Sequence, residues 1–270
     1  MNLDSLPLWA PVLAALAYAA FVWWFGTGLV LMLEAAPGRR SPPAPVPGHA
    51  VAGLLALLGV VLAAHHPGPL AATLGFTAAV ALWGWHELAF LSGRLTGPRQ
   101  GDCTAAFGTW RRWRQAVAVI AWHELALIAC GLLLAAACWD TPNPVGAWTY
   151  AALWGLRLSA KLNLFLGVRN FSEDFLPARL AHLRSYFRRR GMNPLLPASL
   201  LGGAWLVNEL VAGARLLPPG EAFGHWLVIA LIGLGLVEHV LLVLPLPAGA
   251  LNSLWRWAMP AGRPEPGRPQ

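Results

Sequence analysis

Seven apolar runs constrain this chain more than any single motif. They cover about 8–33, 49–65, 70–92, 115–138, 146–168, 197–217 and 224–246, the second being the shortest. A run of roughly 20 apolar residues, rising about 1.5 Å each, spans a hydrocarbon layer of about 30 Å. Backbone polar groups in that layer must pair within the segment, so such runs fold as helices. Charged residues make up 11% of the chain and apolar residues 57%, against about 25% charged in a soluble domain. The expected fold is an all-α polytopic membrane helical bundle, a single transmembrane domain over residues 1–270. The start, Met1-Asn2-Leu3-Asp4, lacks the basic residues of a secretory signal, and the run behind it is too long for one. It reads as a retained helix.

Positive charge sets the expected orientation. Arg39 and Arg40 follow the first span, in a proline-rich linker from Pro37 to Pro45. Arg94, Arg99, Arg111, Arg112 and Arg114 follow the third, and Arg169, Arg179, Arg184, Arg188, Arg189 and Arg190 the fifth. Arg256, Arg263 and Arg268 lie in the tail. The other side holds Asp4, Asp140 and Glu221, with Arg215 as its cation near a helix end. Lysine and arginine gather in cytoplasmic loops, so the N-terminus is expected to be periplasmic and the C-terminus cytoplasmic. The net charge of +7 is therefore a topology signal and not a nucleic-acid footprint. Fifteen Trp suit aromatic belts. Cys103, Cys130 and Cys138 form no CxxC and no disulfide framework. His65-His66-Pro67-Gly68-Pro69 reads as a solvated turn, with a metal clip as the less economical reading.

A five-residue motif occurs twice inside apolar runs: Trp85-His86-Glu87-Leu88-Ala89 and Trp122-His123-Glu124-Leu125-Ala126. Ionisable groups at such depth are costly and mark function or pairing. Given the expected topology, His86, Glu87, His123, Glu124, Glu238, His239 and Lys161 fall in one slab. It lies roughly 4–8 Å to the cytoplasmic side of the midplane at about 1.5 Å per residue. Arg157 is one turn from Lys161 on the same helix face. Three carboxylates facing lipid would be very costly, whereas facing Arg157 and Lys161 they are nearly compensated.

The layer admits four readings. One is a metal site of His86, Glu87, His123, Glu124, Glu238 and His239 holding iron, manganese or zinc. The others are a buried salt-bridge and hydrogen-bond network, axial ligation of a tetrapyrrole magnesium by one His, and a proton path. Glu-x-x-His is absent, and Phe90 and Leu127 stand where His-Glu-x-x-His needs its second His. Trp83, Trp85, Trp122 and Trp154 flank a flat ring on one view and pack as aromatics on the other. There is no nucleophile triad and no phosphate loop. Gly233-Leu234-Gly235 suits close helix packing.

The 173–190 segment is expected to be a basic amphipathic helix on the cytoplasmic leaflet, capped by Ser172-Glu173-Asp174. Leu176, Leu180, Leu183 and Phe187 form its apolar side. Arg179, Arg184, Arg188, Arg189 and Arg190 face lipid headgroups or a partner.

Several blocks resemble the PuhE family of phototrophic bacteria. One is Trp85-His86-Glu87-Leu88-Ala89-Phe90-Leu91-Ser92-Gly93 with Gly97-Pro98-Arg99, and another runs from Arg157 to Asn170. Phe175-Leu176-Pro177, His182-Leu183, Ser185-Tyr186-Phe187, Asn193-Pro194 and Pro197 continue it. The resemblance is strong over about 83–197 and elsewhere rests on the order of spans. It implies a multi-pass protein of the bacterial inner membrane, cytoplasmic or intracytoplasmic, encoded near the reaction-centre H subunit. It also implies a photosynthetic complex assembly protein, linked to the reaction centre, its core antenna and bacteriochlorophyll supply. It brings no catalytic residue.

The expected function is therefore an assembly factor, possessing bacteriochlorophyll as a candidate cargo. Its expected partners are the lipid bilayer and reaction-centre or core-antenna subunits or pigment-synthesis enzymes, with no nucleic acid. The alternatives are a membrane metalloenzyme acting on a tetrapyrrole, quinone or lipid through the His/Glu layer, and a proton-coupled carrier.

Overall fold

The computed structural model describes residues 7, 9–35, 47–170 and 176–245. Arg39, Arg40, Arg256, Arg263, Arg268, Asp4 and the Ser172-Glu173-Asp174 cap lie outside them. The described residues form α1 (Trp9–Ala35), α2 (Pro47–Ala64), α3 (Pro69–Leu91), α4 (Trp110–Ala137), α5 (Val145–Leu166), α6 (Leu195–Ala214) and α7 (Pro219–Leu241). The chain is an all-α membrane bundle. Five helices, α1, α3, α4, α6 and α7, are long and apolar enough to cross a membrane. α2 is apolar but shorter. α5 falls outside that group because Arg157, Ser159, Lys161 and Asn163 interrupt its apolar sequence.

Helix ends follow local chemistry. Pro69 and Pro219 open α3 and α7, where a first-turn proline forfeits no hydrogen bond. α4 begins at Trp110, ahead of the apolar run at 115, because Thr109 caps it: Oγ1 accepts from the Arg112 amide at 3.2 Å. Hydropathy hides this turn behind Arg111, Arg112 and Arg114. α7 stops at Leu241, short of the expected 246. The Asn170 side-chain amide donates to the carbonyls of Leu241 and Leu244. The backbone amides of Arg169 and Asn170 donate to Leu242 O. Carbonyls that a helix end leaves open are thereby paired.

α3, α5 and α7 form the centre, flanked by α1, α2, α4 and α6. Phe76, Leu127, Leu134, Tyr150, Leu227 and Leu231 fill it. Lipid tails are as apolar as leucine, so packing and polar contacts hold membrane helices together. At Gly235 a Cβ would lie 2.5 Å from Leu156 Cδ1, so a larger residue there would have to push the Leu156 side chain of α5 aside. Gly233 meets nothing within 4 Å, so the close packing expected of this stretch rests on one of its two glycines.

The α3–α4 connection leans into α4. Thr96 O accepts the backbone amide of His123 at 2.9 Å, and Ala118 O accepts that of Arg99 at 3.3 Å. A Cβ on Gly97 would stand 2.1 Å from Ala118 O, so this contact excludes every other residue.

The expected amphipathic α-helix is instead a 3₁₀ helix, Ala178–Tyr186, folded onto the bundle. Leu180, Leu183 and Tyr186 recur every third residue, which aligns side chains on a 3₁₀ helix. They are buried against Phe90 and Val119. The apolar side therefore covers protein and is not free to lie on a leaflet. Arg179 pairs with Glu34 of α1 at 3.0 Å. The following segment forms one parallel bridge, Val168 to Arg189. With Arg188 N donating to Leu164 O and Arg190 N to Val168 O, it fixes the backbone of the arginine triplet.

Candidate functional site: a charged layer around helix α5

α5 presents Trp154, Arg157 and Lys161 at the i, i+3, i+7 spacing of one helix face. Three neighbouring helices each bring a carboxylate to that face. Glu124 of α4 accepts from Lys161 Nζ at 2.6 Å through Oε1 and from Trp154 Nε1 at 3.3 Å through Oε2. Glu238 of α7 accepts from Arg157 Nη1 at 3.2 Å. Glu87 of α3 stands 3.8 Å from Arg157 Nε. The two copies of the motif thus do the same thing: each offers its Glu to a cation of α5, one turn apart.

The arms differ in environment. The Lys161 and Glu124 side chains are 24% and 17% exposed, while Arg157 and Glu238 are 41% and 36% exposed. The Lys161–Glu124 pair is the internal one, and Arg157–Glu238 is at the perimeter.

The histidines do not join the carboxylates. Neighbouring residues on a helix point about 100° apart, and His86 and His123 turn into the packing. His86 is 3% exposed, edge-on to Trp85 and Tyr150 with ring centroids at 4.7 and 6.0 Å. His123 is fully buried, 4.7 Å from the Phe90 ring. The ring nitrogens of both lack a hydrogen-bond partner among the described residues. The tryptophans diverge too. Trp85 donates to His49 O at 2.6 Å, whereas Trp122 is exposed.

His239 serves a second polar chain. Its Nδ1 donates to Gly235 O at 2.7 Å, and Nε2 meets Ser159 Oγ at 2.9 Å. Ser159 donates to Ser199 Oγ, which also accepts from Asn163 Nδ2 at 3.2 Å. Asn193 Nδ2 reaches Asn163 Oδ1 and Gly167 O, both at 3.0 Å. Ser159 and Asn163 lie four apart on α5, on a stripe separate from Arg157 and Lys161. Ser159, Asn163 and Asn193 lie in the blocks that carry the family resemblance, but no role for them or for Ser199 is expected from the sequence. Their signal was the i, i+4 recurrence of small polar groups in an apolar helix.

The six residues expected to surround a metal are therefore divided among cation pairing, aromatic packing and the hydroxyl chain. Among the described residues no three His, Cys, Asp or Glu side chains gather as an ion would require. Lys161 and Arg157 occupy the positions beside the carboxylates that an ion would need. A flat macrocycle fares no better, since Trp85, Tyr150 and Phe90 enclose the rings of His86 and His123. The arrangement can tie α3, α4 and α7 to α5, and the hydroxyl chain adds α6.

The expected arginine surface is also divided. Arg179 holds Glu34, and Arg188 stacks over Phe107 at 5.0 Å. Arg184, Arg189 and Arg190 are exposed. Arg112, 3% exposed, lies over the Phe107 ring at 4.1 Å and donates to Cys103 Sγ at 3.1 Å and Tyr186 O at 2.8 Å. Arg99 donates to Tyr186 Oη at 2.7 Å. Several arginines read as topology signals thus also bind the connecting loops to the bundle.

No solved structure matches the chain. It is 38% identical over 278 residues to an uncharacterized 30.4 kDa protein of Rhodobacter capsulatus, encoded in the puhA 5′ region. The alignment covers 96% of this chain and 97% of the relative. Residues 9–265 match the family described as a protein of unknown function, DUF3623, and the chain belongs to that family.

Proposed function

We propose that this chain is an inner-membrane assembly factor for the photosynthetic reaction-centre and core-antenna complex, as its resemblance to the PuhE family implies. The observation that carries the reading is the near full-length relative encoded in the puhA 5′ region. The geometry supports a scaffold in preference to a metalloenzyme. Each carboxylate of the layer already faces a cation, and breaking such a pair costs more than it yields any free ligand. The exposed Arg184, Arg189 and Arg190 offer a docking face for an acidic partner or anionic headgroups. On this reading that face is cytoplasmic and the N-terminus periplasmic, following the arginine bias.

Deleting the gene in a phototrophic host tests the role. The near-infrared absorbance of assembled reaction centre and core antenna should fall and return with the wild-type gene on a plasmid. Unchanged absorbance in the deletion strain refutes the role. A reporter after Gln270 should read cytoplasm and one within 140–144 periplasm, and the reverse result overturns the orientation.

A further inference from the structure

The outward face of α6 carries a polar pair that the layer does not use. α6 packs on α7 through Val207, Leu210 and Val211. Its opposite side shows Leu201 and Trp205, 72% and 65% exposed, followed by Asn208 and Glu209, both exposed. Among the described residues no ion pair or hydrogen bond reaches either side chain. α6 is nevertheless a membrane-length apolar helix. Glu209 precedes its last residue, Ala214, by about five positions, roughly 7–8 Å along the axis. A carboxylate held at that depth against acyl chains is costly, and intramembrane acids almost always face a partner or a cavity. A Cβ on Gly202, on the same side, meets nothing within 4 Å, which leaves room for a second backbone.

We infer that this face of α6 docks a transmembrane helix of another protein, one presenting a lysine, arginine or other strong donor at the depth of Glu209. Charge selects the occupant. In a symmetric pair of copies, α6 against α6 would set two Glu209 carboxylates opposite each other, like charges in low dielectric. A cationic helix instead neutralises the acid, its lysine or arginine donating hydrogen bonds to the Glu209 carboxylate, while Trp205 and Leu201 supply the apolar contact. The inference goes beyond the assembly reading and does not depend on it.

The test uses the purified full chain, donor-labelled in phosphatidylcholine vesicles, and acceptor-labelled leucine–alanine transmembrane peptides. One peptide carries a single lysine at the depth of Glu209, and the other has leucine there. Energy transfer should show the lysine peptide binding about three- to tenfold more tightly, the range one interhelical polar contact supplies. Glu209→Leu should abolish that preference, and Gly202→Ile should weaken both peptides. Both substitutions lie on the outer face, so helix content and thermal stability should hold. Equal binding of the two peptides overturns the proposal, as does a preference that survives Glu209→Leu. Energy transfer between differently labelled copies of the chain, lost in Glu209→Leu, would assign the face to self-association and overturn it too.

Discussion

Lys161→Met keeps most of the side-chain volume and removes its charge. Glu124 would then retain only the Trp154 N–H, 3.3 Å away. Removing one partner of a buried pair costs about 3–5 kcal/mol. The residual exposure of 24% and 17% lowers that to about 2–4 kcal/mol. Glu124→Gln should cost a similar amount by stranding Lys161. The double variant, with both charges gone, should lose less than about 1.5 kcal/mol, because replacing a whole buried pair is often neutral. The coupling between the sites should thus be about 2 kcal/mol or more. Reversible unfolding in mixed detergent micelles, followed by helix content, measures all four corners of the cycle. Additive losses would refute the reasoning, since they mean that the two groups do not depend on each other.

Other expectations follow from the same geometry. Arg157→Gln should cost about as much as Lys161→Met, about 2–4 kcal/mol in that unfolding assay, because it strands Glu238 and also Glu87, whose side chain is 16% exposed; a loss below about 1 kcal/mol would contradict the pairing of both carboxylates with Arg157. Gly97→Ala should lower the melting temperature and expose the α3–α4 connection to protease, since its Cβ collides with Ala118 O; an unchanged digest speaks against the close contact. Asn193→Ala should cost about 1–3 kcal/mol by leaving Gly167 O and Asn163 Oδ1 without that donor, read as faster amide exchange at the end of α5. Changing Arg188, Arg189 and Arg190 together to Gln should reduce complex assembly at normal protein levels, and full assembly would remove the docking role.

The helical membrane bundle was legible because apolar length and backbone self-pairing leave few other folds. The pairing of carboxylates with α5 was legible from charge and depth. Contact among the six layer residues was not, since depth gives height along a helix and not its rotation. One residue of offset, about 100°, sends Glu87 to Arg157 and His86 into Tyr150. Leu176, Leu180, Leu183 and Phe187 fit a 3.6-residue period and predict an α-helix, while Leu180, Leu183 and Tyr186 fit the three-residue period of the 3₁₀ helix that forms. Asn208 and Glu209 have no counterpart at the depth of the layer, so depth and charge do not pick them out. They stand nearer the other end of the bundle, where only exposure singles them out.

On the proposed reading, the charged layer acts as a tie that holds α3, α4 and α7 to α5. Complementation of the deletion strain tests it most directly, using Lys161→Met, Glu124→Gln and the two combined, with membrane protein levels measured alongside. The account predicts that the double variant restores assembled complex to near the wild-type level while Lys161→Met alone falls well short. A double variant that accumulates normally, yet leaves the complex unassembled, would contradict it and assign the charges themselves an active role.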